Sequence, residues 1–111
     1  MATKIYNGKY DNSSDQIYLV NKGKIYNGKY DNSSDEIKNV KYTVLLNKDG
    51  KIYKGKYDNS SDQIMLLKGE KVYKGKYDNS SDQIALIKGD RLTDSELEKV
   101  IYLLVQKNNL I

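Results

Sequence analysis

One fourteen-residue unit occurs four times in this chain and restricts its fold more than any other feature. The unit reads Lys-Ile/Val-Tyr-Asn/Lys-Gly-Lys-Tyr-Asp-Asn-Ser-Ser-Asp-Gln/Glu-Ile, and its copies occupy residues 4–17, 24–37, 51–64 and 71–84. Self-similarity at a period of about 20 residues is typical of stacked or closed repeat architectures. We therefore expect a single repeat domain over residues 1–111, with repeats near residues 4–23, 24–50, 51–70 and 71–90.

Each copy opens with a strand pattern that contains a glycine. In the second copy, the alternation places Tyr26, Gly28 and Tyr30 on one face and the neighbouring Ile25 on the other. Glycine inside a strand marks a bend, a bulge or a close backbone approach, so we predict a kink in every copy. The positions to which we assign a structural role are Tyr6, Tyr26, Tyr53, Tyr73, Gly8, Gly28, Gly55, Gly75, Asp15, Asp35, Asp62 and Asp82.

The rest of each copy predicts a turn and a second strand. In Asp-Asn-Ser-Ser-Asp every side chain is able to bond its own nearby backbone, which predicts a tight, self-satisfied turn. The apolar runs that follow, such as Ile64 to Leu67, predict strands covered on both faces. Gly23, Gly50 and Gly69 are candidates for positive φ in the turns back to the next copy. Residues 38–44 interrupt the second copy, and we expect them to form a longer strand or a crossover.

The last segment changes from strand to helical spacing. Thr93 and Glu96 form a capping-box pattern, and an apolar stripe follows at intervals of three and four residues. This pattern predicts a helix over about residues 94–107. Its expected role is to cover an open end or face of the β assembly.

Composition argues against several function classes. The chain has no histidine and no cysteine, which removes the usual general base near neutral pH, the usual metal ligands and disulfides. We therefore predict a protein that is not an enzyme and needs no cofactor or metal. The net charge of +4 comes from lysines interleaved with acidic residues, which argues against nucleic acid as a partner. Without an apolar run of membrane length or a secretory signal, we expect a cytoplasmic monomer that requires no partner and contacts no membrane.

Two repeated motifs keep alternative functions open. Asp-x-Ser-x-Asp spaces oxygen atoms like the start of a calcium loop, but the glycine and the distal glutamate of such a loop are missing. The repeated tyrosines and lysines, such as Lys56 and Tyr57, form a surface that suits glycan stacking or a polyanion. A binding module is therefore the alternative to a purely structural protein without biochemical activity.

The motif Ile-Tyr-x-Gly with Ser-Ser-Asp-x-Ile, followed by Gly-x-Arg-Leu-Thr-x-x-Glu-Leu from Gly89 to Leu97, resembles a family of small bacterial β-repeat proteins. The chain is also similar to torus-knotted β-repeat proteins of the septoil type. This resemblance implies a mainly β fold of four short repeats wound into a compact, closed, torus-knotted unit with one C-terminal α-helix and no assigned activity. Knots are very rare among folds. If each repeat winds the chain around the same axis in the same sense, however, crossings accumulate with every copy and a knot forms.

The first two copies are identical from Lys4 to Asp15 and from Lys24 to Asp35. Either a natural duplication is recent, or a copy was inserted deliberately into a parent with fewer copies. We favour an engineered, repeat-extended variant.

Overall fold

The structure is a computed structural model that describes residues 2–40, 42 and 44–110. Within these residues, eight strands form one antiparallel sheet and one α-helix follows them. The elements are β1 Ala2–Asn7, β2 Gln16–Asn21, β3 Lys24–Asn27, β4 Leu45–Lys48, β5 Lys51–Lys54, β6 Gln63–Lys68, β7 Lys71–Lys74, β8 Gln83–Gly89 and α1 Asp94–Lys107. The predicted mainly β repeat architecture with a C-terminal helix is confirmed.

The strands lie in the order β3-β2-β1-β8-β7-β6-β5-β4. Strands that follow each other in sequence are neighbours in the sheet, except that β3 and β4 stand at its two edges. In addition, β1 and β8 pair with each other in the interior of the sheet, although they come from opposite ends of the chain. We call this pairing the closing junction.

The turns between copies contain the predicted glycines. Lys22 and Gly23 have φ of 52° and 79°, and Asp49 and Gly50 have 54° and 86°, as the two-residue hairpin turn of type I′ requires. Gly69, with φ of 61°, occupies the first turn position, as in type II′. These turns fix the register of three hairpins, and the predicted positive φ at the three glycines is confirmed.

The sheet has two buried faces. The inner face carries the residue before the first tyrosine of each copy, and these four side chains are almost fully buried: Ile5, Ile25, Ile52 and Val72. Because neighbouring residues of a strand point to opposite faces, the first tyrosines lie on the outer face, where they pair across strands with leucines. These pairs are Leu86–Tyr6, Leu19–Tyr26, Leu46–Tyr53 and Leu66–Tyr73.

The helix packs on the inner face. The Thr93 side chain accepts a hydrogen bond from the backbone of Glu96 at 3.2 Å, and the Glu96 carboxylate accepts one from the backbone of Thr93 at 2.9 Å. This capping box starts α1 at the predicted residue. The apolar stripe of α1 joins the same buried cluster as the inner-face side chains of the strands: Val100, Ile101, Leu104 and Val105. The predicted helix and its stripe are confirmed.

The expected closure of the sheet is wrong. Among the described residues, β3 and β4 do not pair with each other. After β3, Glu36 forms an isolated bridge with Tyr26, and the Ile37 backbone donates to the carbonyl of Ile25 at 2.7 Å. The chain then leaves the sheet, and β4 resumes the strand beside β5. We call the break between Glu36 and β4 the seam.

The side chains at the seam explain the break. In the other three copies, the residue after the repeat isoleucine is buried on the inner face, as Met65 and Ala85 show. In the second copy this residue is Lys38, whose charge is costly to bury without a partner. The pattern resumes seven residues later, where the Val44 carbonyl accepts from Gly55 at 2.9 Å as the Ile64 carbonyl does from Gly75 at 2.8 Å.

The seam also decides between the two expectations for residues 38–44. Residues 38–40, 42 and 44 are not in a strand, so the predicted longer strand is wrong at these positions; the rest of the segment lies outside the described residues. The segment instead connects the two edges of the sheet. The strand order does not by itself require the chain to thread through a loop, and the torus knot stays a prediction.

Candidate functional site

A loop of eight residues follows the first strand of each copy, and we call these four segments (residues 8–15, 28–35, 55–62 and 75–82) the tyrosine loops. Each starts with the repeat glycine, whose φ lies in the left-handed region: 86° at Gly8, 84° at Gly28, 91° at Gly55 and 85° at Gly75. The glycine ends the strand rather than bending its interior, so the predicted common face of Tyr26 and Tyr30 is wrong. Added Cβ atoms at these glycines would meet no described atom within 4 Å, which rules out a crossing strand there.

A 3₁₀ turn over Ser-Ser-Asp ends every tyrosine loop. The turn is closed by a backbone hydrogen bond, from Asp15 to the carbonyl of Asn12, and its 2.9 Å length recurs in all four copies. The side chains contribute less than predicted, since the asparagine before each turn makes no side-chain cap hydrogen bond. In the first copy the Asn12 amide donates to the Asp15 carboxylate at 3.5 Å. The repeat aspartates are half-buried as the third residue of each turn: Asp15, Asp35, Asp62 and Asp82.

Between the glycine and the 3₁₀ turn, the loops run back over the outer face. The Lys48 ammonium lies 2.8 Å from the Asp58 carboxylate, and the Lys68 ammonium lies 2.6 Å from that of Asp78. Each lysine lies at the end of a strand, beside the first residue of the next copy. The aspartate belongs to the tyrosine loop of that next copy. The loop therefore runs back along the whole first strand of its copy to reach the lysine. The hydrogen bond and charge of Lys48 lower the pKa of Asp58, and those of Asp58 raise the pKa of Lys48.

Side-chain amides join neighbouring copies. The Gln16 amide donates to the carbonyl of Gly28 at 3.1 Å, Gln63 to that of Gly75 at 3.2 Å, and Gln83 to that of Gly8 at 3.2 Å. The third bond spans the closing junction. The second copy has Glu36 at this position, and an ionised carboxylate cannot donate. The series is therefore interrupted at the seam.

The two tyrosines of each copy have opposite environments. The first ones, Tyr6, Tyr26, Tyr53 and Tyr73, are only 6–8% exposed beneath the loops. The second ones are 65–70% exposed: Tyr10, Tyr30, Tyr57 and Tyr77. Strand alternation in the sequence does not separate the two sets, although the glycine between them is the signal that the strand ends before the second tyrosine.

The exposed tyrosines follow the strand order. The first strands of adjacent copies are two positions apart in the sheet, which spaces successive loops by roughly 9.5 Å. Along the sheet the exposed tyrosines therefore run in the order Tyr30, Tyr10, Tyr77, Tyr57. This row of four similar rings is the candidate functional site.

The row is not basic. Each tyrosine loop carries one lysine and two aspartates, for example Lys9 with Asp11 and Asp15, so each loop has a formal charge of −1. Among the residues that the structure describes, no group of three or more acidic side chains is placed to hold a metal ion.

Two cavities lie beside α1. A groove of about 210 Å³ borders β4 and β5 and is lined by Leu45, Ile52, Leu97 and Tyr102 among others. A second groove of about 400 Å³ lies between the segment before α1 and the ends of β6 and β8. Neither groove contains a repeated residue set. Two further cavities do, since each is lined by a lysine–aspartate pair and a first tyrosine: Lys48, Asp58 and Tyr53 in one, Lys68, Asp78 and Tyr73 in the other. Both border tyrosine loops, so the tyrosine row remains the candidate.

Comparison of the chain with protein-family models, with curated proteins and with solved structures finds no match. Within the described residues, no helix has the length and apolar character needed to cross a membrane.

Proposed function

We propose that this protein is a non-catalytic binding module that presents its tyrosine row to one extended, uncharged ligand, namely a glycan chain. The observation that carries the proposal is the fourfold exposure of Tyr10, Tyr30, Tyr57 and Tyr77, each at 65–70%. Single exposed aromatic residues need no explanation, but a regular row of them on one surface does. Tyrosine offers a ring face for stacking and a hydroxyl for hydrogen bonds, the two groups that a sugar ring uses.

The repeated hydrogen bonds and ion pairs of the loops support this function. Each loop is closed by the same backbone bond, and two of them are tied to the sheet by Lys48–Asp58 and Lys68–Asp78. A platform that is already ordered loses less conformational entropy when a ligand binds. Four such platforms on one sheet are also able to hold one polymer at several points, which raises its apparent affinity without any new type of contact.

The charge of the loops favours a neutral glycan over a polyanion. Each loop has a net formal charge of −1, which repels phosphate or sulfate groups. The lysine beside each exposed tyrosine is balanced by Asp11 or its counterparts, so the row lacks the continuous positive groove of single-strand binders.

A glycan-binding assay on the full chain tests the proposal. Neutral polysaccharides and a single-stranded DNA are titrated at low and high salt, with the wild type and with a variant that changes the four exposed tyrosines to alanine. We expect saturable binding of a neutral glycan that is insensitive to salt and is lost in the quadruple variant, with little change in melting temperature because the side chains are exposed. Binding of DNA alone, weakening steeply with salt, would replace the glycan by a polyanion.

A second candidate is a purely structural protein whose useful property is slow unfolding. The closing junction favours it, because strands from the two ends of the chain are paired in the interior of the sheet. The torus knot and the engineered extra copy belong to this proposal. Unfolding after a jump into denaturant would then take days, whereas a half-life of seconds would argue against it. An experimental backbone trace tests the knot directly.

A further inference from the structure

The first strands of the first two copies end in Asn-Gly steps, Asn7-Gly8 and Asn27-Gly28, where the other two copies have Lys-Gly. In an Asn-Gly step, the glycine backbone nitrogen is able to attack the carbonyl carbon of the asparagine side chain. Ammonia leaves, a cyclic succinimide forms, and water opens it to aspartate or isoaspartate. Glycine favours the attack because it has no Cβ to hinder the nitrogen, and asparagine is among the thermolabile residues.

The folded sheet protects both nitrogens. The Gly8 N–H donates to the carbonyl of Ile84 at 2.8 Å, and the Gly28 N–H donates to that of Ile17 at 2.7 Å. The carbonyls of the same glycines accept from Gln83 and Gln16 at 3.2 and 3.1 Å. A glycine held on both sides cannot turn toward the asparagine side chain, so the reaction requires local opening of the strand.

The two strands differ in how firmly they are held. β1 has six residues and pairs on both sides, with β2 and with β8. β3 has four residues and pairs along its length only with β2, while its other edge carries the isolated bridge to Glu36. A short edge strand opens more often than a strand in the middle of a sheet.

We propose that Asn27 is a site of spontaneous modification, and that β3 is the element whose opening controls its rate. The change adds one negative charge at the end of β3. Its isoaspartate form also adds one atom to the backbone, which breaks the pairing of Asn27 with Tyr18 and loosens the edge of the sheet beside the seam. This inference does not depend on the ligand of the tyrosine row.

Two matched variants separate the sites. The variant Asn7→Lys keeps only the Asn-Gly sequence at Asn27, and Asn27→Lys keeps only the one at Asn7. Both substitutions introduce the residue that the third and fourth copies already have. The double variant supplies the background from other asparagines. Each protein is incubated folded at mildly alkaline pH, and the mass increase of its peptides is followed over time. The same incubation in urea serves as reference, where equal rates are expected because the flanking residues of the two sites are identical.

In the folded state we expect both sites to react more slowly than in urea, and the Asn27 site to react about tenfold faster than the Asn7 site. Equal folded rates, or a faster reaction at Asn7, would overturn the proposal. Folded rates as high as those in urea would overturn it as well, since the hydrogen bonds of the two glycines would then give no protection.

Discussion

The closing junction and the seam are the two places where the sheet departs from a simple hairpin series, and they differ in an instructive way. At the junction, β8 and β1 have no direct connection, yet they pair in the register of the covalent hairpins. Tyr6 faces Leu86 as Tyr73 faces Leu66, and the remaining pairs follow in step. At the seam the chain is continuous, yet the pairing is lost.

This comparison shows that side chains, rather than connectivity, decide where the sheet holds together. The junction has Ala85 and Ile87 available for the inner face, whereas the second copy has Lys38 at the position that corresponds to Ala85. Burying the Lys38 ammonium without a partner would cost more free energy than the hydrogen bonds of a continuous strand would contribute. The strand therefore leaves the sheet until Val44 and Leu45 restore the apolar pattern.

The largest expected effect compares one buried isoleucine at each place. Ile5 is fully buried on β1 at the junction, and Ile25 is 2% exposed on β3 at the seam. We expect Ile5→Ala to lower the free energy of unfolding by about 4 kcal/mol and Ile25→Ala by about 2 kcal/mol, since the edge is able to relax into the cavity. Urea titration measures both. A larger loss for Ile25→Ala would contradict the stronger role of the junction.

A second variant targets the closeness of the strands at the junction. Gly89 has φ of 124°, and an added Cβ would lie 2.5 Å from the Ala2 carbonyl oxygen. We expect Gly89→Ala to cost about 2–3 kcal/mol, from steric overlap added to backbone strain. Gly69→Ala is the control, because φ is 61° there with open space beside it, and its cost should be about 1 kcal/mol. Equal losses in thermal unfolding would show that β8 and β1 separate easily.

Deleting residues 38–44 should restore strand pairing across the seam. Glu36-Ile37 would then continue into Leu45-Leu46, which matches Gln63-Ile64-Met65-Leu66 in the third copy. We expect a continuous strand between β3 and β5 and a gain of about 1–2 kcal/mol from the added ladder hydrogen bonds. Hydrogen exchange checks the result through new protection of the strand and of β3. An unchanged exchange pattern would mean that the insertion is not what keeps the sheet open.

The smallest expected effect concerns the Lys48–Asp58 pair beside the seam. Because the folded pKa of Asp58 is below its ordinary value of 3.8, the stabilisation by this pair is present above that value and is lost as the pH falls through the folded pKa. We expect Lys48→Ala to return the pKa of Asp58 toward 3.8, measured by NMR titration, with little change in stability at neutral pH because both groups are exposed. A pKa that does not move would show that Lys48 is not its cause.

Local structure was readable from the sequence, whereas the pairing of distant strands was not. The capping box at Thr93 and the turn glycines have short-range signatures, and each formed where it was predicted. The closing junction depends on the pairing of β1 with β8, which are distant in sequence, and no local pattern predicts this pairing. The split between Tyr26 and Tyr30 was missed because strand alternation was continued through Gly28, whose positive φ ends the strand.

The register at the closing junction has a consequence for copy number. Because this junction repeats the hairpin pairing, two strands of a further copy would be able to pair there in the same register as the existing strands. A wider sheet, however, would have a larger inner face for α1 to cover. The apolar stripe of that one fourteen-residue helix covers a limited area of the inner face. The helix, and not the strands, therefore limits how many copies this architecture is able to accept.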